Sequence, residues 1–341
     1  MKILSKILQF KNLLCYLSFI PLLWGWRGAA QDIQFSQFQR APHFTNPAMI
    51  ITMEKEMTGY LNYKSQWKPA GGFSTMSASF ASPIPFSLKY QVFGVGVSVI
   101  NDAAGDIPLR NTRLLAVIAD VVKLAPRHFC TAAIQGGVLQ RHYKFENITW
   151  VNQYNGTEYD PSIPSGENQF GKTHYLPDFS AGLIYEFISR GTSMSGERLI
   201  RLNGGIACHH INRPNQSVFV SQSDPLALRW VATANGWIDL PANDYSILPV
   251  ALFTLQGPSK QVHAGAIFRY AFERKKKFSG FTREKAFAFG INYKYREALV
   301  TQFYYDYEQY SFGLSYDITM SEIGRATGLR GGMEFSFRYR K

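Results

Sequence analysis

The stretch Ala286–Tyr295, AFAFGINYKY, decides the fold. Its odd positions are Phe287, Phe289, Ile291, Tyr293 and Tyr295, and its even positions are Ala286, Ala288, Gly290, Asn292 and Lys294. A β-strand sends successive side chains to opposite faces, so this segment has one aromatic face and one small or polar face. A strand buried in a soluble core would be apolar on both faces. A wall between lipid and a wet interior accounts for both, at about the ten residues a tilted transmembrane strand needs.

The alternation recurs. Met333, Phe335, Phe337 and Tyr339 interleave with Glu334, Ser336, Arg338 and Arg340, and Phe312, Leu314 and Tyr316 with Ser311, Gly313, Ser315 and Asp317. Thr301, Phe303, Tyr305 and Tyr307 face away from Gln302, Tyr304, Asp306 and Glu308, and Phe93, Val95, Val97 and Val99 alternate with small neighbours. Working outward gives fourteen strands: 57–67, 73–83, 90–100, 111–122, 129–145, 177–188, 198–211, 226–239, 246–256, 260–272, 285–296, 298–307, 309–318 and 330–340. Two have a competing reading: 111–122 has some helical character, and Pro249 interrupts 246–256. The fold class is therefore all-β, a transmembrane antiparallel up-and-down β-barrel of about fourteen strands over 54–341, with no internal domain boundary.

Upstream of the barrel, residues 1–30 read as a signal peptide. Lys2, Lys6 and Lys11 precede the apolar run Leu13–Trp24, and Gly28-Ala29-Ala30 offers a small-residue cleavage site near Ala30. Cleavage there also removes Arg27, which takes the net charge from +12 to +8. Residues 31–53 lack alternation and hold Pro42 and Pro47, so they form a short irregular N-terminal segment. No later stretch approaches ~18 uninterrupted apolar residues, which leaves a closed barrel as the way to span a membrane. Localisation follows: an integral, multi-pass outer-membrane barrel in contact with lipid. A secreted soluble β-protein is the rival class.

An even strand count puts both ends of the barrel chain on the periplasmic side, with long connections outside. The gaps 146–176 and 212–225 fit. The basic connection 273–284, ERKKKFSGFTRE, falls inside and is longer than expected, so Arg274, Lys275, Lys276 and Lys277 are candidates for contact with a periplasmic partner. Alternation places Arg201, His209, His263 and Arg269 on the lumen face. It places Lys294, Asp306, Glu308, Glu334 and Arg338 there too.

Motifs that would signal chemistry fail on context. Gly166–Thr173, GENQFGKT, spells a phosphate-binding loop, but that loop needs a strand before it and a helix after it. Pro161, Pro164 and Pro177 crowd the site, so no nucleotide is expected. On a strand His209 and His210 point to opposite faces and cannot share a metal ion. Cys130 and Cys208 fall two strands apart, whereas a disulfide between them, which an oxidising compartment would permit, needs neighbouring strands. No local hydrolase signal such as G-x-S-x-G occurs. Lys and Arg are scattered through faces and turns, which argues against nucleic acid. No catalytic residue, metal site or cofactor is assigned.

Gln31–Ala48 reads QDIQFSQFQRAPHFTNPA, and this closely resembles the opening of mature PorP/SprF-type proteins of the type IX secretion and gliding machinery of Bacteroidota. Tyr175–Tyr185 (YLPDFSAGLIY), His209–Ser217 (HHINRPNQS), Phe312–Ile318 (FGLSYDI) and Gly331–Tyr339 (GGMEFSFRY) resemble later stretches of that family, in order. Ile33 stands where the family usually has Pro, and Met49-Ile50 replaces a common aromatic-Ala-Gly. The resemblance implies a non-enzymatic outer-membrane component. Its partners would be periplasmic ring or lipoprotein components of the secretion apparatus, or secreted surface cargo. Within the N-terminal segment, Gln31, Asp32, Gln34, Phe35, Ser36, Gln37, Phe38, Asn46 and Pro47 are the candidate plug or partner residues, because their polar-aromatic order has no strand to serve. The alternative function is a passive diffusion porin, with Arg201, Lys294, Asp306 and Glu334 lining an open path.

Overall fold

The computed structural model describes residues 32–51, 56–66, 72–84, 90–104, 109–143, 150–164, 173–193, 196–217, 223–240, 244–273, 284–321 and 330–341. The signal-peptide residues, Gln31, the basic loop Arg274–Lys277 and Gly166–Lys172 of the phosphate-loop look-alike lie outside these.

Fourteen strands close into one barrel. They are β1 Thr58–Gln66, β2 Phe73–Pro83, β3 Gln91–Ala104, β4 Leu109–Ala125 and β5 His128–Tyr143. Next come β6 His174–Ser193, β7 Gly196–His209, β8 Arg229–Asp239, β9 Tyr245–Gln256 and β10 Ser259–Glu273. The last four are β11 Lys285–Lys294, β12 Ala298–Tyr307, β13 Tyr310–Thr319 and β14 Arg330–Arg340. Each pairs antiparallel with its chain neighbour, and β1 closes on β14 with Thr58 opposite Arg340 and Gln66 opposite Gly332. Closure leaves no edge strand, so each strand's backbone pairs with a neighbour on both sides. The 111–122 segment is strand throughout. β9 also runs through Pro249: the β8–β9 ladder passes from Asn235–Val250 to Ile238–Ile247, a break where proline has no N–H to give.

The decisive stretch alternates as read. Phe287, Phe289, Ile291 and Tyr293 are exposed on the outside of β11, while Ala286, Ala288, Asn292 and Lys294 are buried within. The outward rings meet across strands, with centroids 4.9 Å apart for the stacked pair Phe287–Tyr305 and for the tilted pair Phe289–Phe303, and 5.3 Å for the tilted pair Phe312–Phe337. Such cross-strand aromatic pairs hold register on a face that lipid covers.

Residues on the inner face are buried for another reason: the lumen is filled. A segment with a 3-10 turn at Phe38–Arg40, a one-turn helix α1 at Pro42–Thr45 and a second 3-10 turn at Pro47–Ile50 runs through it. Three apolar clusters join it to the wall. Ile50 and Ile51 pack with Val92, Val117 and Val121; Phe38 packs with Val231, Leu252 and Ile267; and Phe35 and Phe44 pack with Ile100 and Leu115.

Connections 144–173 and 210–228 lie at one mouth, opposite the mouth where Met57 and Lys341 exchange hydrogen bonds of 2.7 and 2.9 Å. Long connections mark the outer side of such barrels. The connection 274–284 is at the strand-terminus mouth, hence periplasmic.

Candidate functional site

The segment threads the barrel in a defined direction. Its start bonds Lys64, Lys294 and Asp317, which sit at or near the outer ends of β1, β11 and β13. Its end, Ile51, lies against Gly94 near the periplasmic start of β3. The chain thus crosses the lumen from outer mouth to inner mouth and then turns into β1.

Near the outer mouth, four buried charges surround Ser36. Glu334 accepts from the backbone N–H groups of Ser36 and Gln37 at 2.7 and 3.0 Å. The Ser36 hydroxyl donates to Asp317 at 2.7 Å and accepts from Lys294 Nζ at 2.9 Å. Lys294 also bonds Asp317 at 2.7 Å, and Lys64 Nζ donates to the Gln34 carbonyl at 2.5 Å. Two lysines meet Asp317 and Glu334, Glu297 stands 3.9 Å from Lys294, and each charge has partners inside a low-dielectric space. Gln302 donates to the Ser36 carbonyl at 3.0 Å, and Gln37 exchanges bonds with Ser315 at 3.2 Å and Ser336 at 2.7 Å.

Midway down, Asn46 caps the turn that Pro47 begins, accepting from Ala48 N–H at 2.9 Å. Its amide donates to the carbonyls of Leu183 and Ile206 at 3.3 and 3.2 Å. Gly182 makes this seat: a Cβ there would overlap Asn46 Oδ1. Gly96 does the same for His43, with 2.7 Å between a built Cβ and His43 Cε1. The His43 ring is fully buried with no hydrogen-bond partner on either nitrogen. Burial alone holds its pKa down at about 4. The His43 carbonyl accepts from Gln135 at 3.1 Å, and the Arg40 carbonyl from Asn62 at 3.0 Å.

Asp306 forms the hub toward the periplasmic mouth. Arg269 Nε donates to it at 3.1 Å, with Arg338 at 3.7 Å and Arg40 at 3.9 Å. The Arg40 guanidinium also covers the Tyr304 ring at 4.7 Å. Lumen-facing Arg201 pairs with Glu186 at 3.5 Å, and His263 meets Phe38 edge-on at 6.1 Å.

Two expectations need correction. Glu308 lines the same pocket as Arg269, Asp306 and Arg338, but from the β12–β13 turn and not from a strand, with φ of 58°, a left-handed geometry that ends the alternation. His209 and His210 do not diverge. β7 ends at His209, and His210 has φ of 60°, so both rings are buried, 6.4 Å apart. His209 bonds Ser180 at 3.1 Å and the Thr45 carbonyl at 3.3 Å, while His210 pairs with Asp178 at 2.8 Å. No group of three metal-ligating side chains is assembled among the described residues. Cys130 and Cys208 are free, on β5 and β7.

The reading by residue type passed over Lys64, Asp317, Gln302, Asn62 and His43. Lys64, between Tyr63 and Ser65, and Asp317, after Tyr316, carry the same alternation signal that marked Lys294 and Glu334. His43 has no such signal, because it lies on the segment and not on a strand.

A closed wall with an oily outside and a filled, hydrogen-bonded inside defines an integral outer-membrane β-barrel. The family model for the type IX secretion system membrane protein PorP/SprF matches residues 27–339. The chain belongs to that family. No curated protein matches it. Similar solved structures include CdiB from Acinetobacter baumannii, at 7% identity and TM-score 0.41 over 84% of this chain and 60% of that one. A Pseudomonas aeruginosa FadL homologue matches at 9% and 0.40 over 88% and 93%, and the beta domain of the Bordetella autotransporter BrkA at 9% and 0.35 over 84% and 98%. This chain spans about three-fifths of the length of CdiB. With scores under 0.5, these likenesses say nothing about what it does.

Proposed function

We propose that this barrel is a plugged, non-catalytic scaffold of the secretion machinery that docks periplasmic components or handles surface cargo. The observation that carries the reading is the segment Phe35–Ile51, held in the lumen by the Ser36–Glu334–Asp317–Lys294 network and by Asn46. The four later stretches that resemble the family converge on it: Gly182 from β6, His209 from β7, Asp317 from β13 and Glu334 from β14. A diffusion porin would need this space for water.

The basic loop Arg274–Lys277, between β10 and β11 on the periplasmic side, is the proposed contact for a periplasmic partner. Reversing its four charges should weaken co-purification of periplasmic secretion components from solubilised membranes several-fold, at unchanged barrel level. Unchanged recovery would remove the loop from the account.

A further inference from the structure

The lipid-facing wall has one charge out of place. Among the described residues, the outward-facing charged side chains Arg110, Arg198, Lys260, Glu273 and Lys285 all sit within three residues of a strand end. Asp120 does not. It lies on β4, five residues short of Ala125, between outward Ile118 and Val122, opposite Phe93 on β3 and Ala132 on β5. One carboxylate oxygen is covered and has no hydrogen-bond partner. A lone carboxylate facing hydrocarbon is costly, and such a group marks a functional contact by default.

The wall beside Asp120 is concave. Ala132, Ala181 and Cys208 form a low floor, with Phe93 on β3 and Trp230 on β8 at the two sides. A larger concavity on the outer face of β9–β14 is lined by aromatic rings, Phe268, Phe287, Phe303 and Phe312 among them, and has no outward-facing charge in its lining.

We propose that this groove is a lateral docking site for a second, different outer-membrane barrel whose wall presents a Lys or Arg to Asp120. Charge complementarity selects this occupant. A lipid acyl chain would fill the floor but brings no cation to that depth. Asp120 pairs with Ala132, four residues inward along β5 from His128, whose ring clusters with Tyr185 and Phe187 as an interfacial belt. Lipid ammonium groups stay outside such a belt. A second copy of this chain brings no cation either, because the outward Lys and Arg side chains described here are confined to strand ends. The closed barrel is the outer-membrane type of spanning protein, so the cation is assigned to another such wall.

The test uses the full-length protein in its own outer membrane, with a photo-crosslinking residue at groove position Ile134 or at Phe303 on the aromatic wall. Ile134 should give an adduct with one integral barrel protein, identified by mass, and Phe303 should not. D120N should cut that adduct at least tenfold while heat-modifiable gel mobility stays normal, and D120E should restore it. D120K should regain the adduct only when the partner's facing Lys or Arg is changed to Glu. Adducts with lipid alone, with a second copy of this chain, or undiminished in D120N would overturn the proposal.

Discussion

Glu334 shows what a single side chain does in this interior. Its carboxylate closes two backbone N–H groups of the threaded segment and lies 4.0 Å from Lys64. Glu334→Ala would strip those donors and leave buried positive charge without its counterpart. Breaking a buried charged pair costs about 3–5 kcal/mol. The expected result is a lower temperature for the folded-to-unfolded shift in gel mobility, with Leu61→Ala on the outer face as the milder control. Gly182 makes the complementary point. Gly182→Leu would drive a side chain into Asn46 and expel the cap, whereas Asn46→Ala removes only the bonds, at about 1 kcal/mol for the cap. Protease nicking within 33–51 should therefore rise more in Gly182→Leu than in Asn46→Ala. Equal protection in both would detach Gly182 from the seat.

At the scale of the element, the threaded segment carries a built-in pH dependence through His43. Its pKa when docked is about 4, against about 6.5 for a free imidazole, because burial disfavours the charged ring. Between those values the undocked segment binds more protons than the docked one. Docking is thus fully favoured above about pH 6.5 and weakens as pH falls toward 4. Protection of 33–51 from protease should drop over that window, and His43→Phe should flatten the drop. A wild-type profile that stays flat would mean the ring is not buried as described.

The strands were legible because lipid outside and a polar filling inside impose a strict two-residue period, which β11 carries without exception. The segment was legible only as something without a strand to serve. Its path was not, since Phe35, Phe38 and Phe44 show neither helical nor strand spacing and their partners are scattered from β3 to β12. His210 was misread, and Glu308 wrongly given to a strand, where a left-handed residue at a strand end cancels the alternation.

For the whole molecule, threading from outer to inner mouth places Ile33 on the long-connection side. A cysteine at Ile33 in an otherwise cysteine-free chain should react with a membrane-impermeant maleimide added to intact cells, while one at Ile51 should not. Labelling with the opposite preference would reverse the direction of threading. The central claim is that the segment occupies the barrel and leaves no aqueous path. Ion current through the purified, folded protein in a planar lipid bilayer tests it most directly: the account predicts a silent barrel that conducts once residues 33–51 are deleted, and steady, stepwise current from the intact protein would contradict it.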